Sequence, residues 1–582
     1  MILRGHGFFN LWFFLHIAVS DQISYTRGLL IIPFRSGLDY TRFRYSNQAN
    51  LWRRPSVKKE YGNEQVYFVG GGIASLAGAA YLVRDCGFPG QNIHIIEEMK
   101  ILGGSNDGAG NEEHGYVIRG GRMLNDETYE NLWELLNTIP SIDQPGLTLR
   151  EEITQFDDAN PTRSKARLVD SKGEIQDVNS MGFDMADRLA LGKLIITPEA
   201  KMGKARINDW FGPHFFTTNF WYMWATTFAF QPWHSAVELK RYMLRFIHEF
   251  PRIQTLEGVT RTPYNQYDSI IMPLHQYLEP LGVDFTLKCT VTDLEFKEGD
   301  GITVTKLKVL RQGVEDVIEV KEGDRVIITN GSMTEGSSLG SMTSAPRLNG
   351  KGSSWKLWEN IAAKKPGLGN PSSFDDHVDE SKWESFTVTF QDSKFFDLME
   401  NFTRNRAGTG ALVTFKDSSW LMSVVLAFQP HFRNQPEHVK VFWGYGLYPD
   451  KIGDYVHKRM CDCTGEEIME ELLGHLHFEA HKEEIMATAN CIPCMMPYIT
   501  SQFMPRLNSD RPQVVPEGST NLAFIGQYCE IPDDVVFTEE YSVRAARIAV
   551  YTLFGINRPV EPIKEYQHDV RTLFSSLVTS FR

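Results

Sequence analysis

From residue 64 onward, short apolar runs closed by glycine alternate with stretches whose apolar positions recur every three or four residues. In "EQVYFVGGGIASLAGAAYLVRDCGFPGQNIHIIEE" (64–98), Val66 to Val69 predict a buried strand, Ile73 to Arg84 a helix, and Ile93 to Ile96 a second strand ending in Glu97 and Glu98. The same buried-strand pattern returns in "GDRVIITNGS" (323–332), closed by Asn330 and Gly331. It appears again in "NLAFIGQYCEIPDDVVFTEEYSVRAARIAVYTLFG" (521–555), where Gly526 ends the strand and an alanine-bearing helix follows. Residues 150–260 predict mostly helix, and "SFTVTFQD", "GALVTFKDSSWLMSVVLAF" and "VKVFWGYGLYPD" predict strands between 380 and 450. "TSAPRLNGKGSSW" (343–355) predicts a surface loop.

Strand, glycine turn, helix, strand and acid in that order make a dinucleotide site. Gly70 and Gly72 let a pyrophosphate reach the helix N-terminus at Ile73, Ala74 and Ser75, with Ser75 standing where a third glycine is usual. Glu97 and Glu98 are the candidates for the ribose hydroxyls. A second glycine loop, "LGGSNDGAG" (102–110), brings Gly103, Gly104 and Ser105, "RGGR" (119–122) leads into Arg122 and Met123, and with Asn330 and Gly526 at the later strand ends these complete the candidate cofactor residues. A second loop and an arginine beyond the adenosine suit extended FAD better than NAD. In "VIRGGRMLNDETYENLWELL" (117–136), Asn125 is expected to cap a helix, with Asp126 and Glu127 at its positive end.

The predicted fold is therefore α/β, with a discontinuous, Rossmann-like FAD-binding domain (65–149, 262–345, 515–560). A mixed α+β substrate domain (346–514) and helical additions (150–261 and the tail 561–582) complete it. Residues 1–64 read as a leader, with nine Lys and Arg against four Asp and Glu in the first 65. "FFNLWFFLHIAVS" (8–20) has the length of a signal core and is too short to span a membrane; a signal, an extension and an artefact of the assumed start stay open. A net charge of -14 argues against nucleic acid as a partner. Seven scattered cysteines give no disulfide framework, favour a reducing, cytoplasmic setting, and lack the spacing of a metal site. "HFFTTNFWYMWATTFAFQPWH" (214–234) is either the wall of a long apolar pocket or plain core. The tail "DVRTLFSSLVTSFR" (569–582) has apolar residues at helical spacing, for its own core or for a bilayer surface.

The motifs "VGGGIASLAGAAYLVRD", "GGSNDGAG", "GYVIRGGR", "FAFQPWHSAVELKRYMLRFIH", "YNQY", "LVTFKDSSWLMS", "FWGYGLYPDK", "IPCMMPYITSQFMPR" and "EIPDDVVFTEEYSVR" together closely resemble the oleate hydratases, formerly the myosin-cross-reactive antigens. The resemblance covers residues 65 to about 555, in order. It implies a flavoprotein that adds water to the cis-9 double bond of oleate or a related unsaturated fatty acid, with no net redox change. It also implies that Tyr242, in "LKRYMLRF", delivers the proton. The family's water-handling glutamate falls on Met123, whose thioether cannot take a proton. Asp126 and, with more reach, Glu127 are the nearest acids to replace it. Val425 and Ala427 stand where the resemblance implies polar contacts to the substrate carboxylate. Two other readings remain, a flavin-dependent lipid oxidoreductase or isomerase and a non-catalytic flavin- or lipid-binding protein, and a homodimer is left open.

Overall fold

The structure is a computed structural model that describes residues 61–121 and 123–582. Residues 1–60, and with them most of the expected leader, lie outside the described residues, as does Arg122. Tyr61, near the end of the expected leader, is packed: its ring meets Phe88 at 4.8 Å and Phe554 at 6.0 Å.

In chain order, the elements that carry the site begin with β1 (Val66–Val69), α1 (Ile73–Tyr81), β2 (Ile93–Glu97), α2 (Glu130–Leu136) and α3 (Ala236–Arg245). They continue with β3 (Asp284–Leu287), β4 (Cys289–Phe296), β5 (Val304–Arg311), β6 (Val314–Glu319), β7 (Arg325–Thr329) and α4 (Ser353–Lys364). Then come β8 (Trp383–Phe390), β9 (Val413–Phe415), β10 (Met422–Val425), β11 (Lys440–Gly446), β12 (Ala489–Met496), β13 (Leu522–Ile525), α5 (Glu539–Phe554) and α6 (Val570–Ser580).

Two sheets organise them. One is a five-stranded parallel sheet in the order β13-β7-β1-β2-β3. Its inner strands are nearly continuous apolar runs, buried at most of their positions. Helix α1 lies so close to β1 that a methyl group on Gly78 would stand 2.6 Å from the Phe68 ring, so this glycine sets the helix-to-sheet distance. Helix α5 packs along α1. The antiparallel meander β4-β5-β6 is inserted between β3 and β7.

The second sheet has seven strands, with β12-β8-β11-β10-β9 flanked by the short edges Ser338–Leu339 and Leu168–Val169. It is antiparallel except at the Leu168–Val169 edge. Its face beneath β8 and β11 buries a core of its own, including Phe386, Phe390, Phe442 and Leu472. The other face meets the main core, so that Tyr116 and Ile118 hydrogen-bond through their amides to Thr389 and Thr387 of β8.

Candidate active site

The glycine turn after β1 opens onto a cavity of about 390 Å³ at the carboxyl ends of the parallel strands. Gly70, Gly72, Ile73 and Ala74 line it from the first loop, Gly103, Gly104 and Ser105 from the second, and Glu97, Glu98 and Gly526 from the strand ends. Helix α1 starts at this cavity with Gly72 as its N-cap and no capping side chain. A Cβ on Gly72 would point into open space, with its nearest neighbours, in the Gly103–Gly104 backbone, 3.9 Å away. An uncapped positive helix end beside a vacant Cβ direction fits a dinucleotide pyrophosphate.

Four expected cofactor residues stand elsewhere or undescribed. Ser75 is fully buried, because the third position of α1 faces the sheet. Asn330 turns its amide to the Tyr528 carbonyl, 3.2 Å away, leaving Gly331 on the cavity. Met123 lines a second cavity, and Arg122 is the residue outside the description. Glu97 lines the cavity but spends both carboxylate oxygens on backbone, accepting from Gly71 at 2.6 Å and Met99 at 2.7 Å. It holds the glycine turn in shape, while the exposed Glu98, which accepts from the Ser353 hydroxyl, also lines the cavity.

The pattern of apolar positions did not disclose Glu335, Gly352, Ser353 and Ser354 on the same cavity. The end of the expected surface loop at 343–355 is thus part of the site. Burial pushes the Glu335 carboxyl up to about 7, even though the Ser354 amide donates to it. The first arginine of "RGGR" ties loops together: Arg119 donates to Asp107 at 2.8 Å, the Thr334 carbonyl at 3.0 Å and the Gly104 carbonyl at 2.6 Å. Gly121 makes room for Trp443, whose ring an added Cβ would meet at 3.2 Å.

The segment beyond "RGGR" differs from its expected form. Leu124–Asn125 pairs as a short strand with Val259–Thr260, and the Asn125 side chain accepts from the Thr128 amide at 3.0 Å to close a turn. Helix α2 begins five residues later, at Glu130. Its cap comes from afar, since the Glu540 carboxylate accepts the Asn131 and Leu132 amides at 2.9 and 2.8 Å.

The second cavity, of about 100 Å³, is lined by Met123, Phe228, Tyr242, Phe246, Phe537 and other largely apolar groups. Tyr242 is 1% exposed; its hydroxyl donates to the Val536 carbonyl at 2.5 Å and its ring stands edge-on to Phe228 and Phe230. Buried ion pairs fix the helix that presents it. Arg241 binds Glu199 and Glu530, each at 2.8 Å, Arg245 binds Glu130 at 2.6 Å, and Glu238 binds Arg506 at 2.9 Å and Arg511 at 3.1 Å. Breaking one such pair costs about 3–5 kcal/mol, so α3 is held rigidly.

Asp126 and Glu127 line neither cavity. Asp126 is exposed and stands 3.5 Å from Arg150, while the Glu127 carboxylate faces His248 at 3.3 Å and Arg252 at 3.2 Å. The turn closed by Asn125 points them outward. Among the described residues two carboxylates do line the Tyr242 cavity, Glu249 and Glu539. Burial alone would raise Glu249, but hydrogen bonds from His248 and Arg252 outweigh it and hold the acid down at about 2. Of the aromatic run 214–234 only Thr227 and Phe228 reach the cavity; most of the other rings stack on one another as core.

The MCRA family model matches residues 63–551. An oleate hydratase of Streptococcus pyogenes serotype M49 (strain NZ131) is 38% identical over 546 residues, covering 91% of this chain and 92% of that one. A linoleate hydratase of Lactiplantibacillus plantarum is 38% identical over 560 residues, covering 88% of this chain and 98% of its own. An oxidoreductase from Methanosarcina mazei aligns with 84% of this chain and 100% of its own, at a TM-score of 0.48 and 12% identity. With the family model spanning nearly all the described residues, and two near full-length relatives beside it, the chain belongs to the MCRA family.

Proposed function

We propose that this protein is an FAD-binding fatty-acid hydratase that adds water to the cis-9 double bond of oleate or a related unsaturated acid, giving a 10-hydroxy acid. The observation that carries this reading is a buried phenol, Tyr242, with two carboxylates, Glu249 and Glu539, on one otherwise largely apolar cavity. An isolated alkene is a very weak base, so hydration needs a proton donor fixed against one carbon, water at the other, and bulk solvent kept out. Tyr242 would supply the proton, and Phe228 and Phe246 would exclude solvent. The names of the two near full-length relatives support the substrate class.

The glycine loops around Gly72 and Gly104 would hold FAD, with Glu98 on a ribose. FAD, when bound, would supply a polar, planar surface that shapes the reacting site without net redox change. For the substrate carboxylate, Arg261 is the candidate: its Nε and one terminal nitrogen are buried without an acceptor. It stands just past Val259, which lines the cavity. Anaerobic incubation of the FAD-loaded protein with oleate tests the reading. A product heavier by one water, with no change in flavin oxidation state, is expected; flavin reduction coupled to substrate would instead identify a lipid oxidoreductase.

Contact with a lipid surface belongs to the same proposal. Helix α6 docks through Thr579 and the half-buried Leu573 and Leu577, and leaves Val570, Phe574, Val578 and Phe581 facing out. Sedimentation with liposomes should fall when residues 569–582 are removed.

A further inference from the structure

Hydration releases a proton from the attacking water as well as consuming one at the alkene. The cavity that holds Tyr242 must therefore contain an acceptor, or the reaction must trap neutral water. Met123 offers only a thioether. The hydroxyls of Thr227 and Thr538 already donate to the Met223 and Val535 carbonyls. Glu249, held at about 2 by His248 and Arg252, is too weak a base to compete for a proton near neutrality.

Glu539 is the remaining carboxylate on this wall. It is 5% exposed, and its Oε1 accepts from the Asn106 amide nitrogen at 2.7 Å. Asn106 closes the turn that begins with Gly104 and Ser105 on the cofactor cavity. On the other side, Phe537 adopts a left-handed φ of 70°, a strained choice for an aromatic residue. Gln527 keeps it there, accepting the Phe537 amide and donating to the Thr538 carbonyl at 2.8 Å. Thr538 then caps α5 at the Tyr541 amide. One short segment thus carries both the carbonyl of Val536 that orients the Tyr242 hydroxyl and the Glu539 carboxylate, and Gln527, which pins it, also lines the cofactor cavity.

We infer that Glu539 holds the reacting water opposite Tyr242 and takes its proton as the new C–O bond forms, an inference that rests on the hydratase reading above. The alkene π pair takes the phenol proton to make the new C–H bond, and a water lone pair makes the C–O bond. The proton that water loses goes to Glu539, and its return to the Tyr242 oxygen restores both groups. One water is consumed and nothing is oxidised or reduced.

The test uses the FAD-loaded full chain with oleate, comparing wild type, Glu539→Gln, Glu539→Asp and the double variant Glu539→Gln with Met123→Glu. Flavin content, oleate affinity by calorimetry and hydroxy-acid formation by mass spectrometry are measured for each. Glu539→Gln should hydrate ~100- to 10,000-fold more slowly with flavin content and oleate affinity unchanged. A carboxylate returned to the same cavity by Met123→Glu should recover at least ~10-fold of that loss. Wild-type turnover in a flavin-loaded Glu539→Gln protein overturns the inference. Should that variant lose flavin, Glu539→Asp, which keeps the charge, decides: with flavin bound but no measurable product, it too overturns the inference. A wild type that forms no hydroxy acid sinks the hydratase reading itself, and this role with it.

Discussion

The two cavities are built in opposite ways. The cofactor cavity is rich in glycine: glycine turns, an uncapped helix end and strand termini shape it, with two loops within 70–105 contributing Gly70, Gly71, Gly72, Gly103 and Gly104. The Tyr242 cavity is side chains gathered from segments near 123, 228, 242, 256 and 537. Their acids differ to match. Glu335, with neighbours that include the Glu98 charge, is pushed up to about 7 by burial, whereas Glu249, among His248 and Arg252, is held at about 2. Burial is common to both, and the partners decide the sign. A site made of backbone tolerates changes in side chains as long as glycine positions stay small; a site made of side chains depends on the elements that aim them.

The sharpest break of that contrast is Gly72→Val. Its new Cβ would enter the space left for pyrophosphate, so purified protein should be colourless, with flavin occupancy near zero and far-ultraviolet circular dichroism unchanged. Ordinary occupancy would refute the backbone cradle. Tyr242→Phe should keep its flavin and lose ~100- to 10,000-fold in hydration rate. Arg261→Met comes next. A charge-assisted hydrogen bond worth about 1.5–3 kcal/mol corresponds to a rise in KM of roughly 10- to 100-fold for oleate. Oleyl alcohol, lacking the carboxylate, should respond equally in both proteins; an unchanged oleate KM would remove Arg261 from substrate binding.

A smaller effect tests the contrast in acids. A Glu335 pKa raised from 4.5 to about 7 means that the folded protein keeps a proton which the unfolded chain releases. That contribution is present below about 4.5 and is lost as pH rises through 7. At 1.36 kcal/mol per pK unit the loss is about 3 kcal/mol at most, and less in practice because the residue is only partly shielded from solvent. Without flavin, wild type should therefore melt up to ~3 °C lower, relative to Glu335→Gln, at pH 8 than at pH 5. Parallel melting curves across that range would show that the Glu335 carboxyl is not held neutral.

What was legible in the sequence follows the same division. The turn at Gly70 and Gly72 could be read because its meaning is local: φ of +97° at Gly70, and a helix that starts three residues on. Four of the five parallel strands were visible as apolar runs, and the edge strand β3, whose residues are half-buried or exposed, was not. Gly78 was not, since its need comes from the Phe68 ring on the neighbouring strand. The start of α2 was misplaced because its cap is Glu540, 409 residues away, while Asn125 had every local mark of a cap. Glu539 lay inside a recognised motif, yet an acid at a helix start looks the same whether it faces solvent or a cavity. Chain direction and propensity reveal such positions only when the partner is near in sequence.

The mildest substitutions probe that point directly. Asp126 and Glu127 occupy the positions nearest Met123 in sequence, and reach, counted along the chain, favours Glu127 as a replacement base. In space the Asn125 turn sends both outward, to Arg150 and to the pair His248 and Arg252, while the Tyr242 cavity closes behind Leu124. Glu127 does touch a wall residue at second hand, because His248 and Arg252 also bind Glu249. Its loss leaves the Arg252 guanidinium wholly to Glu249, which would hold that acid at least as low as before. Neither change supplies or removes a proton acceptor in the cavity. Exposed substitutions are usually worth within about 0.5 kcal/mol, so Asp126→Asn and Glu127→Gln should hydrate oleate within roughly two-fold of wild type. A loss of ~100-fold in Glu127→Gln, with flavin retained, would mean that the turn reorganises around substrate and that the acid nearest in sequence is, after all, the one that acts.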